Sequence, residues 1–303
     1  MVLFSRAETK EAKASHSCME SIMAVPATIK RLLILQPIDL PVFHPIALRM
    51  VHLLADSDFV IEDLVASAND DQVLAGQILK IANSHVYSGR VKIDTIKDAL
   101  VRLGAYHVSN LAMAASQAAL HISSNDFVNG IMRELWFHSH ACAMGSRWLA
   151  LNTGHRGMAE HAYLSGLVHD VGKLHLLKAL ERLTNAGLAQ AALERGLLLE
   201  IFNEMHVEQG IRLMEHWNMP HIYRLVAAKH NIENIGNESG TDKIVLAIVR
   251  LVNAATRKRE LSVNNANNDF DILELPEAKL LKLTDMHVME LNGVLDASRE
   301  AGF

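Results

Sequence analysis

The sequence predicts an all-α protein. Apolar residues recur every three or four positions along most of the 303-residue chain, which is the period of an amphipathic helix. No segment shows the strict alternation of apolar and polar residues that a half-buried strand requires. Apolar residues make up 50% of the chain and charged residues 21%, a balance typical of folded globular proteins. A chain of this length can bury a sizeable core, in one large lobe or in two closely packed lobes.

Prolines and short polar runs separate the helices predicted in the amino-terminal half. Residues 1–18 are polar and aperiodic, and we expect a flexible tail there. A helical pattern follows from Met19 to Leu35, and the prolines of QPIDLPVFHP end it, with Pro45 in the first turn of the next helix. A later helix opens at Thr95 and is closed by Gly104 in a left-handed cap. The other helices of this half are predicted in IALRMVHLLADSD, VIEDLVASAND, DQVLAGQILKIAN and residues 107–121.

Longer helical patterns fill the carboxy-terminal half. The break SSNDF precedes them, and the polar loop NNANNDFD separates off a last helix, from about Pro276 to Ser298. The apolar positions of this last segment indicate burial against the same chain or a partner; they are Leu280, Leu281, Leu283, Met286, Met289, Leu291 and Leu295. The preceding patterns are GIMRELWFHSHACAMGSRWLALN, HAYLSGLVHDVGKLHLLKAL, LLLEIFNEMHVEQGIRLMEHW, PHIYRLVAAKH and DKIVLAIVRLVNAATRKRE.

Composition and charge disfavour several classes of function. The formal net charge of -5 and an isoelectric point of about 6.4 provide no general attraction to nucleic acid or to an anionic membrane. Aromatic residues, at 5%, leave little material for stacking on bases. Charges alternate in the first residues, and no run reaches ~18 consecutive apolar residues, so we expect no export signal and no membrane span. Cys18 and Cys142 lie far apart, which indicates a reducing cytoplasm and no disulfide framework.

The pair His169-Asp170, followed by Lys173, is the strongest chemical signal in the chain. It lies in the apolar stretch LSGLVHDVGKLHLL. Neutral histidine and ionised aspartate are both good ligands for zinc, iron, manganese or nickel. On a helix Lys173 lies one turn after the pair, so all three side chains can occupy one face. The lysine suits an ion pair with Asp170 as well as it suits the stabilisation of negative charge on a substrate.

Three further histidines are candidate ligands, because a bundle can bring ligands from different helices to a common core. They are His138, His206 and His230, each at the beginning or the end of an apolar helical face. The chain has 17 histidines, so a surface or hydrogen-bonded structural role is expected for most of them. The structural class contains His16, His52, His85, His121, His155, His161, His216 and His287, while His140, His175 and His221 are ambiguous neighbours of better candidates.

The order of these residues resembles the metal-ligand pattern of the HD and HD-GYP phosphohydrolases, in which successive helices supply the ligands. The amino-terminal half adds a more specific likeness, to the HDOD family. In that family an Asp-Pro-x-Leu element leads to an Asn-Ser pair and then to an Ala-x-x-Leu-Gly helix. Here these places are taken by Asp71, Leu74, Asn83, Ser84, Ala99, Leu103 and Gly104. The sequence is similar to the HDOD family over roughly residues 35–253.

The HDOD resemblance implies an all-helical domain of bacterial signalling and regulatory proteins, related to the HD hydrolases, most of which have lost catalysis. It implies an amino-terminal helical lobe at 19–128, packed against an HD-like helical bundle at 129–260, with a loop and a helix at 261–303. The implied ligands of a divalent transition metal (Fe, Mn, Ni or Zn) are His138, His169, Asp170, His206 and His230. Lys173 is the residue that would act in catalysis if the domain were active.

Three departures from these patterns bear on mechanism. Gln72 replaces the proline of the Asp-Pro-x-Leu element, which affects only the entry of a helix. Asn231 stands where the HD-GYP pattern has a second histidine, and the GYP triplet is absent. Asn253 matches the final aspartate of the HD pattern, and a neutral amide is a poorer ligand. We therefore expect a retained but weakened metal site with low or no turnover.

The sequence does not decide between two main functions. The first is a non-catalytic signalling domain that binds a protein partner. Its candidate surface is the turn NSHVYSGRVK, with Tyr87 and Arg90, although for Asn83 a role in fixing the loop is preferred to direct contact. The second is a metal-dependent phosphohydrolase acting on a nucleotide or another phosphate ester. Nucleotide binding without hydrolysis is a third alternative. We expect no membrane partner, and nucleic acid is disfavoured.

Overall fold

The computed structural model has the all-α fold that the sequence predicts. In the part of the chain that it describes there are fourteen α-helices, some short 3-10 turns and no strand. The structure describes residues 25–38, 43–56, 58–83, 91–189, 193–232, 238–259, 261, 263 and 270–300. None of the described helices is both long and apolar enough to cross a bilayer. The predictions that fall outside the described residues concern the tail at 1–18 with His16 and Cys18, Pro41, and the turn with Ser84, His85, Tyr87 and Arg90.

Six helices lie in the amino-terminal part of the chain, called the first lobe, and local capping sets where two of them begin. The first of the six, Ala27–Ile34, packs on the helix Val171–Asn185 of the following part. The side chain of Asp71 accepts hydrogen bonds from two backbone N–H groups of the helix that follows it. Thr95 caps the next helix through the N–H group of Asp98. Gly104 ends that helix at a positive φ of 87°, a conformation that favours glycine. The six helices are α1 (Ala27–Ile34), α2 (Pro45–Ala55), α3 (Ile61–Asn69), α4 (Gln72–Ala82), α5 (Ile96–Leu103) and α6 (Ala105–Leu120).

Asn83 fixes the chain at the end of α4. Its side-chain nitrogen donates to the carbonyl oxygens of Leu79 (2.8 Å) and Ile93 (2.7 Å). Its side-chain oxygen accepts a hydrogen bond from the backbone N–H of Ile93 (2.8 Å). These bonds join the end of α4 to the segment that leads into α5. The predicted loop-fixing role of Asn83 is therefore confirmed.

Eight further helices complete the described part of the chain, six in the part called the second lobe and two in the carboxy-terminal segment. The longest is α7, which packs against α8, α12 and α14 and forms the centre of the second lobe. The second lobe consists of α7 (Asp126–Asn152), α8 (Ala159–Val168), α9 (Val171–Asn185), α10 (Arg195–His216), α11 (His221–Lys229) and α12 (Gly240–Lys258). The last two helices are α13 (Pro276–Leu280) and α14 (Asp285–Glu300).

The carboxy-terminal segment folds back onto α7 of its own chain. Leu291 and Leu295 of α14 are fully buried in this contact. The sequence predicted one helix for the segment, and the structure has two, because Lys282 adopts a positive φ of 54° between them. Met286 and Met289 were expected to be buried, but they are 64% and 67% exposed. They lie on the face of α14 that does not contact the bundle.

A polar network joins the two lobes. The carboxylate of Glu160, at the beginning of α8, lies 2.8 Å from Nδ1 of His107 and accepts a hydrogen bond from the side-chain amide of Asn110, both on α6. It also accepts a hydrogen bond from Nε of Arg147 on α7 (2.8 Å). Burial raises the pKa of Glu160, but His107 and Arg147 outweigh burial and lower the pKa to about 2. The network connects α6, α7 and α8, which also share one apolar core.

Candidate metal centre

The pair His169-Asp170 lies at a break between two helices. The sequence predicted one continuous helix here, and that prediction was wrong, because α8 ends at Val168 and α9 begins at Val171. Asp170 leaves helical geometry, with φ -105° and ψ 16°. The side chains of His169 and Asp170 are only 0% and 2% exposed. The break therefore directs both side chains into the centre of the second lobe.

Two glycines allow the helices to approach closely at this break. A Cβ atom on Gly166 of α8 would lie 2.7 Å from the carbonyl oxygen of Cys142, so α8 packs directly on the backbone of α7. Gly172 of α9 is in the same situation against the backbone of α10 at His206. Larger residues would push these helices apart. Neither glycine was predicted as part of the site, although LSGLVHDVGK contains one on each side of the pair.

Four histidines reach one centre from different helices, and all four are oriented in the same way. In each of them the Nδ1 atom lies against a backbone carbonyl oxygen. An Nδ1–H group that donates to a carbonyl leaves Nε2 with a free lone pair. Such contacts are typical of histidines that bind metals, because they fix both the tautomer and the ring. The pairs are His138 with Leu261, His169 with Gly166, His206 with Phe202, and His230 with Ala227.

The four Nε2 atoms form two pairs on either side of the Asp170 carboxylate. Nε2 of His138 and Nε2 of His169 are 3.3 Å apart, and Oδ2 of Asp170 lies 3.2 and 3.4 Å from them. Nε2 of His206 and Nε2 of His230 are 3.4 Å apart. Oδ1 of Asp170 lies 3.6 Å from the former and 3.2 Å from the latter. The structure thus brings all five predicted ligands together, with Asp170 bridging two histidine pairs.

These distances fit metal ligation better than hydrogen bonding. Two Nε2 lone pairs at 3.3 to 3.4 Å repel each other unless a cation lies between them. Nitrogen ligands on a tetrahedral ion, each about 2.05 Å from it, lie about 3.3 Å apart. In addition, Oδ1 of Asp170 is buried and accepts no hydrogen bond of acceptable geometry, although Nε2 of His230 is within 3.2 Å. A buried carboxylate oxygen without a hydrogen-bond donor is rare in proteins, and a bound divalent cation would supply the missing partner.

Burial and neighbouring charges set the protonation of the same residues. Burial raises the pKa of Asp170, but Lys173 and His169 outweigh it and hold the pKa well below its usual value. The carboxylate is therefore ionised. Burial lowers the pKa of His206 to about 4, and it also lowers the pKa of His230. Both imidazoles are neutral at pH 7, which is the form that binds metals.

Lys173 forms an ion pair with the carboxylate of the site. Its Nζ atom donates a hydrogen bond to Oδ2 of Asp170 at 2.6 Å. Lys173 lies in the first turn of α9, three residues after Asp170. Its side chain is 14% exposed, and that of Asp170 is 2% exposed. Of the two roles that the sequence left open for Lys173, the ion pair is the one present in the structure. The lysine therefore compensates the buried negative charge of Asp170.

The two asparagines that depart from the family patterns lie in different places. Asn231 follows His230 directly, and its side-chain nitrogen is 2.9 Å from Nε2 of His206. A rotation of this amide would present its oxygen, a weak ligand, to the same point. Asn253 is buried on α12, at 4% exposure, and the hydroxyl of Thr256 donates to its carbonyl oxygen. Asn231 therefore reaches the candidate centre, whereas no described contact joins Asn253 to any of the five predicted ligands.

Cys142 is a candidate ligand that was not predicted from the sequence. Its Sγ atom lies 3.8 Å from Nε2 of His138 and 3.6 Å from the hydroxyl of Thr256. Ligand atoms of Cys142, His138 and His169 all lie within 4.8 Å of one another. Burial raises the pKa of its thiol to about 12. The signal in the sequence was the spacing of four residues after His138, which places both side chains on one helix face.

The remaining described histidines have ordinary environments. His121, expected to be structural, is bonded to a carbonyl oxygen one turn earlier, and His52 contacts the carbonyl oxygen of Trp217. Of the ambiguous residues, His140 stacks on a tryptophan ring and His221 is exposed. Burial lowers the pKa of His121, of His140 and of His175 to about 4 each.

A separate cavity of about 470 Å³ lies between α4, α6 and α7. Its walls include Trp136 and His121, with Lys80 and Arg133 among the polar lining residues. None of the five predicted ligands lines it. The convergence of donor atoms, and not the size of a cavity, therefore identifies the candidate site.

Comparison with known proteins places the chain in a family. The family model for the HDOD domain matches residues 40–232. An uncharacterized protein of Treponema pallidum (strain Nichols) is 22% identical over 206 residues, which cover 66% of this chain. The same match covers only 39% of the relative, so the chain corresponds to less than half of that protein's length.

Solved structures share the fold. An HDOD domain protein of unknown function from Geobacter sulfurreducens matches with a TM-score of 0.68 and 22% identity, over 90% of this chain and 95% of that one. A protein of Shewanella amazonensis SB2B, provisionally named a metal-dependent phosphohydrolase, matches with a TM-score of 0.64 and 19% identity, over 90% and 99%. A protein of Marinobacter aquaeolei VT8, provisionally named a signal transduction protein, matches with a TM-score of 0.64 and 21% identity. The match covers 90% of this chain and 62% of that one. At these identities the likeness establishes the fold.

Proposed function

The chain belongs to the HDOD domain family, and from that premise we propose that it is a cytoplasmic signal-transduction protein that binds a transition metal with little or no turnover. The observation that carries the proposal is the convergence of four Nε2 atoms on the buried carboxylate of Asp170. The metal is Fe, Mn, Ni or Zn, which neutral imidazole and carboxylate ligands suit. Its proposed ligands are His138, His169, Asp170, His206 and His230.

In a signalling role the metal would control the fold of the second lobe. The proposed ligands come from α7, from the junction of α8 with α9, from α10 and from the end of α11. A metal that connects four parts of a bundle stabilises the arrangement in which they meet. Gain or loss of the metal would therefore change the stability of this lobe. We propose that a protein partner recognises the metal-bound arrangement.

Three features support low or absent turnover. The proposed ligands are 5% exposed or less, so a phosphate ester could reach them only after the helices move. Lys173 is already paired with Asp170 and would have to leave it to contact a substrate. Asn253 and Asn231 replace an anionic ligand and an imidazole ligand of the related hydrolase patterns, and each replacement weakens the hold on a cation.

The second candidate function is a metal-dependent phosphohydrolase acting on a nucleotide or another phosphate ester. It is supported by the ordered set of ligands and by the name of the Shewanella amazonensis protein that shares the fold. In such an enzyme a bound divalent metal supplies Lewis-acid catalysis. Lys173 would contribute positive charge beside the developing negative charge of the substrate.

A phosphatase screen separates the two functions. The metal-loaded protein is incubated with phosphomonoesters, nucleotides and cyclic dinucleotides in the presence of Mn, Fe, Ni or Mg. We expect no product above the background of a His169→Ala variant prepared in parallel. Turnover by the wild type that His169→Ala abolishes would overturn the non-catalytic proposal. Ligand-dependent thermal stabilisation without product would support nucleotide binding without hydrolysis.

A further inference from the structure

The thiol of Cys142 lies beside the His138–His169 pair, and ligand atoms of the three residues are within 4.8 Å of one another. Cys142 follows His138 by one helical turn on α7 and is fully buried. Its Sγ atom lies 3.8 Å from Nε2 of His138 and faces Thr256 of α12, one turn after Asn253. The thiol is thus beside the part of α12 where the related hydrolases carry an aspartate.

We propose that Cys142 is a thiolate ligand of the metal held by His138 and His169, and that it supplies the negative charge that Asn253 lacks. The inference rests on the proposed metal site and specifies one end of it. The resulting ligand set is two imidazoles, one oxygen of Asp170 and one sulfur. When the metal binds, the S–H bond of Cys142 breaks, an S–metal bond forms, and the proton passes to solvent.

The distances support this ligand set. With a metal–sulfur distance of about 2.3 Å and a metal–nitrogen distance of about 2.05 Å, sulfur and nitrogen on a tetrahedral ion are about 3.6 Å apart. The observed separation of Sγ from Nε2 of His138 is 3.8 Å. The competing interpretation is a protonated, buried thiol that makes hydrogen-bond contacts to the hydroxyl of Thr256 (3.6 Å) and to Nε2 of His138 (3.8 Å). That interpretation leaves Nε2 of His138 facing two further acceptors, Nε2 of His169 and Oδ2 of Asp170.

A thiolate also changes which metal the site selects. Sulfur is a soft ligand, and together with imidazole it favours zinc, iron or cobalt over magnesium and calcium. The other end of the site, at His206 and His230, has no sulfur among its described contacts. The two ends therefore differ in chemistry, and the His138–His169 end is expected to retain zinc or cobalt in the presence of excess magnesium.

Cobalt substitution of the full chain tests the inference. A cobalt–thiolate bond produces a charge-transfer band in the near ultraviolet, which ligation by histidine and carboxylate alone does not. The chain has two cysteines, so in a Cys18→Ser variant such a band can arise only from Cys142. We expect the band in this variant, together with release of one more proton per cobalt than in Cys142→Ser. His230→Ala, at the other end of the site, should keep the band.

Cys142→Ser should lose the band, and its cobalt affinity at this end should fall by at least ~10 to 100-fold. Cobalt bound by Cys18→Ser with visible absorption but without the band would overturn the role of Cys142 and leave the histidine site intact. Absence of any bound cobalt in the wild type would overturn the proposed metal site and this inference together. The measurement on Cys18→Ser does not depend on the folding of a Cys142 variant.

Discussion

Gly172→Ala tests whether close contact between α9 and α10 assembles the site. A Cβ atom at this position would lie 2.7 Å from the backbone nitrogen of Gly210 and still closer to the carbonyl oxygen of His206. Non-bonded heavy atoms at their optimum are about 3.5 Å or more apart, so the two helices must separate by at least about 0.8 Å. Overpacking of this kind typically costs about 1 to 3 kcal/mol, and a clash of backbone with backbone belongs at the upper end.

The same shift should remove His206 from the metal. Ligand distances in protein metal sites vary by only about 0.2 Å, and the expected displacement of α10 is several times larger. Gly172→Ala should therefore unfold at a lower urea concentration than the wild type and should retain less metal after dialysis. The measurements are urea denaturation followed by circular dichroism and elemental analysis of the dialysed protein.

Gly76→Ala is the matched control. Gly76 lies inside α4, and a Cβ atom there would have no other atom within 4 Å. Alanine should stabilise that helix by roughly 0.5 to 1 kcal/mol and leave the metal content unchanged. If Gly172→Ala were as stable as the wild type and kept its metal, the close helix contact would not be what positions His206.

Three further predictions concern pH, the lobe interface and the missing anionic ligand. The pKa values of His121, His140 and His175 fall from 6.5 to about 4 on folding. The contribution of these neutral histidines to the free energy of unfolding is complete above pH ~6.5 and is lost as the pH falls towards 4. The free energy of unfolding of the metal-free protein, measured by urea denaturation, should therefore fall by about 2 kcal/mol per histidine between pH 7 and pH 5. Glu160→Gln should lower the free energy of unfolding by about 1.5 to 3 kcal/mol, measured in the same way at pH 7, because it removes a charged acceptor of three hydrogen bonds. Asn253→Asp should bind metal more tightly in a chelator competition, because it returns a negative charge to α12, the helix whose Thr256 contacts Cys142 beside the site.

Each of these predictions has a control or an outcome that would contradict it. A His175→Gln variant should lose about a third of the pH dependence assigned to the three histidines, and an unchanged slope would show that burial does not perturb His175. Glu134→Gln removes an exposed pair with Arg195 and should cost less than about 1 kcal/mol. If Glu160→Gln and Glu134→Gln lowered the free energy of unfolding equally, the Glu160 network would not stabilise the contact between the lobes. Unchanged metal affinity in Asn253→Asp would show that Asn253 does not face the site.

Much of the fold follows from local sequence. Period and turn residues predict most of the helices, because α1 to α5 each carry one apolar face and end at a proline, a glycine or a polar run. Asp71, Thr95 and Gly104 take the capping places that their residue types suggest. The five ligands could be predicted as a group because the family resemblance fixes their order along the chain.

The features that local pattern does not predict depend on contacts between helices. The break at His169-Asp170 lies in a segment that is buried on nearly all sides, so the apolar pattern continues across it without interruption. The requirement for Gly166 and Gly172 comes from the backbones of other helices. Cys142 becomes a candidate ligand only when α8 brings His169 beside it. Each of these features lies at the site, where packing overrides local preference.

The most direct test of the proposed metal centre is a crystal structure with anomalous scattering data, combined with elemental analysis of protein purified without chelator. We predict a transition metal in the purified protein, and an anomalous peak between Asp170 and one or both of the histidine pairs His138–His169 and His206–His230. Absence of Fe, Mn, Ni and Zn, both as purified and after reconstitution, would contradict the account. So would a metal bound elsewhere in the molecule while these four imidazoles remained without one.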